Sequence, residues 1–327
     1  MANMESAELV INLPHPGAGS FPEELVRGEP MRVPIVLQLD TPRRVRCISA
    51  CFHGAQETKA TYTTTTVGAK GQVTTQTHTA VETIDIVKQD WILAGHEPRG
   101  CIGNMFDAAA TLLGGGRHQR MTPGEYQYEV EVVIPPDAML THQGKNTRVF
   151  YELSVRVDIA LGRDMKASQS FIVLPLPREK VDVQPVKVCY PDDEGRGFWS
   201  SLLMPDVRME LSLQRDLARQ GDTIEGSFRV ETQKSLEVKG VKVRLIGHEH
   251  SEAQSHKDTH YFKGEPVAIH APRLIAPSWS TDFSLPSEVE GPPTSKGTKF
   301  SIDWFVEITL DVPWAKDPKI RVPITLE

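Results

Sequence analysis

A chain of 327 residues is about twice the size of an ordinary domain, so two domains are expected, and 39% hydrophobic with 24% charged residues fits a soluble, globular chain with two cores. A formal net charge of −7 argues against nucleic-acid binding, which draws on clustered Lys and Arg. Met1 to Ser20 has neither a basic n-region nor a continuous apolar stretch, so no secretory signal is expected. No run approaches the roughly 20 apolar residues that span a bilayer, which leaves only peripheral membrane contact open.

In chain order, Gly28 opens a strand-like run, a polar break follows, and a second run ends at Gly54. Cys47 and Cys51 fall in that second run, about 13 Å apart at about 3.3 Å per residue, too far for a disulfide. With Cys101 and Cys189 they form no CxxC pair, and reduced structural cysteines in a cytoplasmic protein are expected. Thr61 to Thr79 is a threonine-rich ribbon, polar on both faces around a turn at Gly68 to Gly71; it reads as a projecting finger or an ordinary sheet hairpin. Asn104 to Leu113 predicts the one short helix, capped by Asn104, with Asp107 in its first turn and Gly114 to Gly116 as its stop. Its stripe of Met105, Phe106, Ala109, Leu112 and Leu113 packs on its own domain or touches a membrane or partner.

Strands with period two follow. Tyr126, Tyr128, Val130, Val132 and Ile134 share one face, opposite Gln127, Glu129 and Glu131. Val149 to Ile159 alternates likewise, placing Arg148, Glu152, Arg156 and Asp158 outside. Pro175 to Pro205, with five prolines and the acidic cluster Asp192, Asp193 and Glu194, predicts a linker in which a strand is disfavoured. Within it Phe198, Trp199, Leu202 and Leu203 form an apolar knot that fills an interdomain cleft or meets a partner. From Phe300 to Val312 the even positions are apolar, while Asp303, Glu307 and Asp311 point away. Sheets with one dry and one wet face bury the dry faces against each other, which is a sandwich.

The chain also repeats itself. Gly28, Met31, Ile35, Leu37, Val45, Ile48, Phe52 and Gly54 recur as Gly221, Ile224, Phe228, Val230, Val238, Val241, Leu245 and Gly247, always 193 residues later. Gly144, Val149, Tyr151, Leu153, Val155, Val157 and Ile159 recur as Gly297, Ile302, Trp304, Val306, Ile308, Leu310 and Val312, 153 residues later. The first copy therefore holds 40 more residues between its blocks (193 against 153). The expected fold class is all-β: two tandem immunoglobulin-like β-sandwich domains, with one short helix in the N-terminal domain. The expected organisation is residues 1–175 as the N-terminal sandwich, 176–205 as linker and 206–327 as the C-terminal sandwich.

For chemistry, the one constellation is His248, His250, His256 and His260, interspersed with Glu249, Glu252 and Asp258. His248 and His250 share a strand face at a spacing that can ligate a metal, so a metal-dependent enzyme or metal sensor is the alternative reading. The bland reading is a polar hairpin crossing solvent, since position 252 is Glu and the helical context of HExxH is missing. There is no GxSxG elbow, Gly116 is followed by Arg117 where a phosphate loop needs Lys-Ser or Lys-Thr, and Asp192 to Gly195 lacks the alternating ligands of a calcium loop. No catalytic residue, cofactor site or metal ligand is assigned, and no enzyme is expected.

The pattern resembles the arrestin-like superfamily. The residues that carry it are Gly28 and the strands to Phe52-His53-Gly54, Pro123-Gly124-Glu125-Tyr126 leading to Pro135-Pro136, and Gly144 with the strand through Tyr151. The second copy adds Gly221 to Gly247, Phe300 to Leu310 and a closing strand from Ile320 to Leu326. The resemblance covers nearly the whole chain and implies two sandwiches of seven or so strands, a hinge, and a cytoplasmic adaptor or scaffold. Such a protein binds protein partners by strand addition at a sheet edge or in the interdomain groove, in trafficking or signalling. The strand Gln169 to Leu174 lacks the Arg with which receptor-regulating arrestins sense phosphate, there is no PPxY motif, and no clathrin- or adaptor-binding tail is expected after Glu327. In layout the chain is similar to the retromer arrestin-like subunit and to bacterial sporulation-control arrestin-like proteins.

Overall fold

Alternating apolar and polar residues make extended chain whose one face must be buried, and the described residues are built from strands throughout. The structure is a computed structural model that describes residues 8–11, 24–96, 118–160, 162–175, 183–190, 207–269, 273–313 and 316–327. No helix occurs among them. The predicted helix Asn104 to Leu113, the acidic cluster at Asp192 and the apolar knot at Phe198 lie outside the described residues.

The chain divides into two units. Unit 1 holds 1–57, 83–141 and 148–176; unit 2 holds 58–82, 142–147 and 177–327. The first half supplies β1 (Glu8–Ile11), β2 (Glu24–Leu25), β3 (Pro30–Leu39), β4 (Arg43–Val67), β5 (Val73–Gly95), β6 (Gln119–Met121), β7 (Gly124–Val133), β8 (His142–Gln143), β9 (Thr147–Ile159) and β10 (Met165–Val173). The second half supplies β11 (Val186–Tyr190), β12 (Val207–Leu213), β13 (Leu217–Ala218), β14 (Thr223–Thr232), β15 (Leu236–Glu237), β16 (Gly240–Ala253) and β17 (His256–Lys263). It continues with β18 (Val267–Ile269), β19 (Leu274–Ile275), β20 (Ser278–Pro286), β21 (Ser295–Lys296), β22 (Phe300–Asp311) and β23 (Lys319–Leu326).

In the first half a sheet β1-β3-β7 faces a sheet β2-β10-β9-β4-β5, to which β6 and β8 attach. Val33, Ile35, Leu37, Phe52, Tyr151, Leu153 and Phe171 close the core, with the Phe52 ring stacked on Tyr151 and edge-on to Phe171. In unit 2 the sheet β11-β12-β14-β20 faces β13-β23-β22-β16-β17, to which β18 and β21 attach, while β15 and β19 pair separately. Met209, Phe228, Val230, Trp304, Val306 and Ile308 are buried there. Both halves are β-sandwiches, as the alternation and the repeat require.

The repeat extends to hydrogen-bond register. Gln38 pairs with Glu125 in the first copy, and Glu231 with Ser278 in the second, shifted by the same 193 and 153 residues. β2 joins β10 in parallel at Leu25 and Val173, and β13 joins β23 in parallel at Ala218 and Leu326, by the same shifts. Tyr151 donates its hydroxyl to the Met139 carbonyl at 2.8 Å, and Trp304 donates its indole N–H to the Pro292 carbonyl at 2.9 Å. Gly54 and Gly247 lie against those two rings: a Cβ on Gly54 would overlap Tyr151 and one on Gly247 would meet Trp304 at 3.0 Å. Glycine is needed at both because the aromatic occupies the space a side chain would take.

Two expectations are corrected. Val186–Tyr190, inside the proline-rich stretch, is a strand paired with β12 through Val188 and Leu211. Pro185 and Pro191 bracket five residues that keep their amides, so the prolines delimit an edge strand and do not prevent one. Asp158 and Glu307, expected in solvent, are buried, at 8% and 0% exposure. Each lies on the outer face of its sheet but is covered by arginine: Arg46 donates to Asp158 at 2.6 and 2.9 Å, and Arg244 and Arg321 donate to Glu307 at 2.5–3.0 Å and 2.8 Å.

Candidate functional site

The histidine constellation is divided by the sheet. β16 and β17 form a hairpin whose register sets His248 opposite Tyr261, His250 opposite Thr259, Ala253 opposite His256 and Glu249 opposite His260. Directly paired residues project from the same face. His248 and His250 therefore lie on the outer face, and His256 and His260 lie on the other. His248 and His250 lie with ring centroids 6.1 Å apart, but their other contacts are not ligands: His248 meets the Tyr261 and Phe305 rings and His250 bonds the Thr259 hydroxyl at 2.9 Å, while His256 stacks on Tyr62 at 3.6 Å and His260 meets Phe262. Among the described residues no group of three or more His, Cys, Asp or Glu side chains could hold a metal ion. The metal reading is not supported, and the bland reading also needs correction, because Glu249, Ser251 and Ala253 on the inner face are buried.

Glu249 is the most enclosed charge of that inner face. Its carboxylate accepts the Lys145 and Asn146 backbone N–H groups at 3.0 and 3.1 Å and the Thr147 hydroxyl at 2.6 Å, all within unit 2. A Cβ on Gly144 would fall on the carboxylate. Charge-assisted hydrogen bonds from fixed amides offset part of the cost of burying a charge. This carboxylate pins a loop and leaves no lone pair facing solvent, so it is structural.

The threonine ribbon belongs to the same unit from Thr58 to Glu82. Ala60 and Ala80 are buried with Ala253; from Thr63 to Thr77 both faces are exposed, and the tip closes where Gly68 N–H donates to Gln72 O at 2.8 Å. Two reciprocal bonds tie its base to β16, Thr58 Oγ1 to Glu252 O at 2.8 Å and Ser251 Oγ to Lys59 O at 2.7 Å. These pairs exchange under the 193-residue shift. Gln254 and Ser255, the turn of the β16–β17 hairpin, take positive φ of 49° and 69°, which L-residues disfavour. The Glu82 carboxylate, accepting Gln254 N–H at 2.9 Å, helps hold that turn.

The outer face of this hairpin presents the more open chemistry. A groove of about 360 Å³ is lined by Arg244, His248, Tyr261, Lys263, Lys319 and Arg321, with Glu307 as its floor. The side chains of Arg244 and Arg321, which neutralise Glu307, remain 27% and 46% exposed, and Tyr261 is 56% exposed at the rim. Burial pushes the Glu307 carboxyl up, but hydrogen bonds and charge from Arg244 and Arg321 outweigh it and hold the group below its ordinary value. Burial, then the charges of Arg321 and His250, lower the pKa of His248 and favour its neutral form.

β17 is also a sheet edge. A two-residue turn makes Ala253 and His256 a hydrogen-bonded pair, so His256, Asp258, His260 and Phe262 direct their backbone groups to β16. Gly264 N–H donating to Leu245 O at 2.9 Å continues that pattern. Lys257, Thr259, Tyr261 and Lys263 consequently direct theirs outward. The Asp258 carboxylate takes up Thr259 N–H at 2.7 Å and also accepts Thr61 N–H at 3.2 Å, so among the described residues the outer edge is open at Tyr261 and Lys263.

Sequence reasoning missed this site because Arg244, Lys263, Lys319 and Arg321 come from three strands. The alternation could assign each a face, but the register depends on a Gln-Ser turn without the usual Asn-Gly or Asp-Gly signal.

Two tandem β-sandwiches built on one repeated register define the class of protein. The family model described as Arrestin (or S-antigen), N-terminal domain, matches residues 15–178, and that for the Arrestin (or S-antigen), C-terminal domain, matches residues 206–326. The chain belongs to the arrestin family, whose members are generally non-enzymatic adaptors that bind protein partners. No curated protein matches it. No helix among the described residues is long and apolar enough to cross a membrane.

Proposed function

We propose that this chain is a non-enzymatic, cytoplasmic adaptor that binds protein partners by strand addition at its sheet edges, in trafficking or signalling. The observation that supports this is the open outer edge of β17 at Tyr261 and Lys263, on a fold whose family works by protein binding. Strand addition draws affinity from main-chain hydrogen bonds and needs no catalytic group, in keeping with the lack of any nucleophile or metal motif in the sequence.

The test is Tyr261→Pro, which removes one outward amide and leaves the inward ladder to β16 intact. Co-purification from the native host is expected to lose the partners recovered with the wild type, with melting temperature unchanged within a few degrees. An unchanged partner set overturns edge docking at β17.

A further inference from the structure

We infer that the edge of β17 takes an extended, carboxylate-bearing peptide segment of a partner protein. This rests on the edge-docking reading above and adds the chemistry of what docks. A strand added beside β17 lies about 4.8 Å away, so its side chains on the groove face stand directly across from Lys257, Thr259, Tyr261 and Lys263. Behind them lies the groove with Arg244, Lys319 and Arg321. Glu307 cancels one positive charge, and it is fully buried beneath its two arginines. Lys263 and Lys319 form no ion pair with any described residue. A chain of net charge −7 thus gathers two arginines and two lysines beside an open strand edge. Acidic side chains at alternate positions of an added strand complement that surface.

One register of pairing with a second copy of this chain is disfavoured. Antiparallel pairing of two β17 strands centred on His260 sets Lys257 opposite Lys263 twice, and like charges directly opposite are destabilising. The main chain favours a peptide over an anionic lipid surface. The site offers outward main-chain amides at Tyr261 and Lys263 and an exposed tyrosine ring, which a strand can pair with and pack on.

The experiment is fluorescence anisotropy on the full chain with labelled peptides of about ten residues, alternating glutamate with valine or lysine with valine. The glutamate peptide is expected to bind about tenfold or more tightly than the lysine peptide, and to weaken steeply with salt. The double variant Lys263→Glu, Lys319→Glu, both on the surface, is expected to lose about tenfold or more without a change in melting temperature. N-methylation of alternate peptide amides is expected to abolish binding. Equal affinity for both peptides, or indifference to the double variant, overturns the inference. Undiminished binding of the N-methylated peptide reduces it to charge adhesion and overturns strand pairing. Recruitment of phosphatidylcholine vesicles carrying about one-tenth phosphatidylinositol bisphosphate through Lys263 and Lys319, with the peptide ignored, assigns the site to lipid and also overturns it. If Tyr261→Pro removes native partners while the glutamate peptide does not bind, edge docking stands and the acidic chemistry alone fails.

Discussion

At three aligned positions the two copies made opposite choices. Unit 1 carries Cys51, Ser154 and Ser168, with Ser154 paired to Ser168 across the ladder and its hydroxyl donating to the Cys51 carbonyl at 3.3 Å. Unit 2 carries Arg244, Glu307 and Arg321 in the same register, Arg244 and Arg321 each facing Glu307. Burial and the nearby Asp90 push the Cys51 thiol up to about 11, so the three unit 1 side chains are uncharged, whereas their unit 2 counterparts keep three charges. The ladders are the same, so the backbone does not ask for the charges. An ion triad is a weak stabiliser once its desolvation is counted. The triad lies in the copy whose outer face carries the groove.

The largest test removes the cations. Arg244→Met with Arg321→Met leaves Glu307 buried without a partner, and is expected to cost about 3–5 kcal/mol in urea unfolding. Adding Glu307→Leu is expected to restore most of that loss, because an apolar set of similar volume suits the site and removes the unpaired buried charge. Failure of the third change to restore stability would show that the triad is a net stabiliser and break the comparison.

The glycine and aromatic pair sharpens it. Gly54→Ala forces a Cβ into the Tyr151 ring and is expected to cost about 1–3 kcal/mol, while Gly247→Ala, with 3.0 Å to Trp304, is expected to cost about 1 kcal/mol. Thermal melts of the two variants check the order.

The smallest effect is in pH. His248 aligns with Ala55 of unit 1, so only unit 2 titrates there. Its folded pKa lies below the unfolded value of 6.5, so between the two the unfolded chain binds the extra proton and stability falls as pH drops from about 6.5. Glu307, lowered from 4.5, adds stability that is present above about 4.5 and is lost as pH falls through its folded value. His248→Gln is expected to flatten the melting temperature between about pH 7 and 5.5 and to leave the acid limb below about 4.5 in place. A wild-type slope that survives His248→Gln places that titration elsewhere.

Much of the fold was legible because strand periodicity and the two offsets are local properties. Tyr151 and Trp304, Gly54 and Gly247, and Gly144 and Gly297 recur in sequence and occupy equivalent places in space. The candidate site was less legible. Four histidines close in sequence looked like a cluster, yet a strand sends neighbours to alternate faces and a hairpin turn fixes which residues meet. Asp158 and Glu307 read as solvated because alternation reports the face of a sheet, not what the neighbouring strand lays over it.

From the residues alone came the strand content, the duplication and the family, since each rests on spacing along one chain. Tertiary structure decided the rest: which carboxylates are covered, that Val186 to Tyr190 joins a sheet, and that Arg244, Lys263, Lys319 and Arg321 converge beside an open edge. Those facts depend on cross-strand register, which is set by turns and by contacts between residues far apart in the chain.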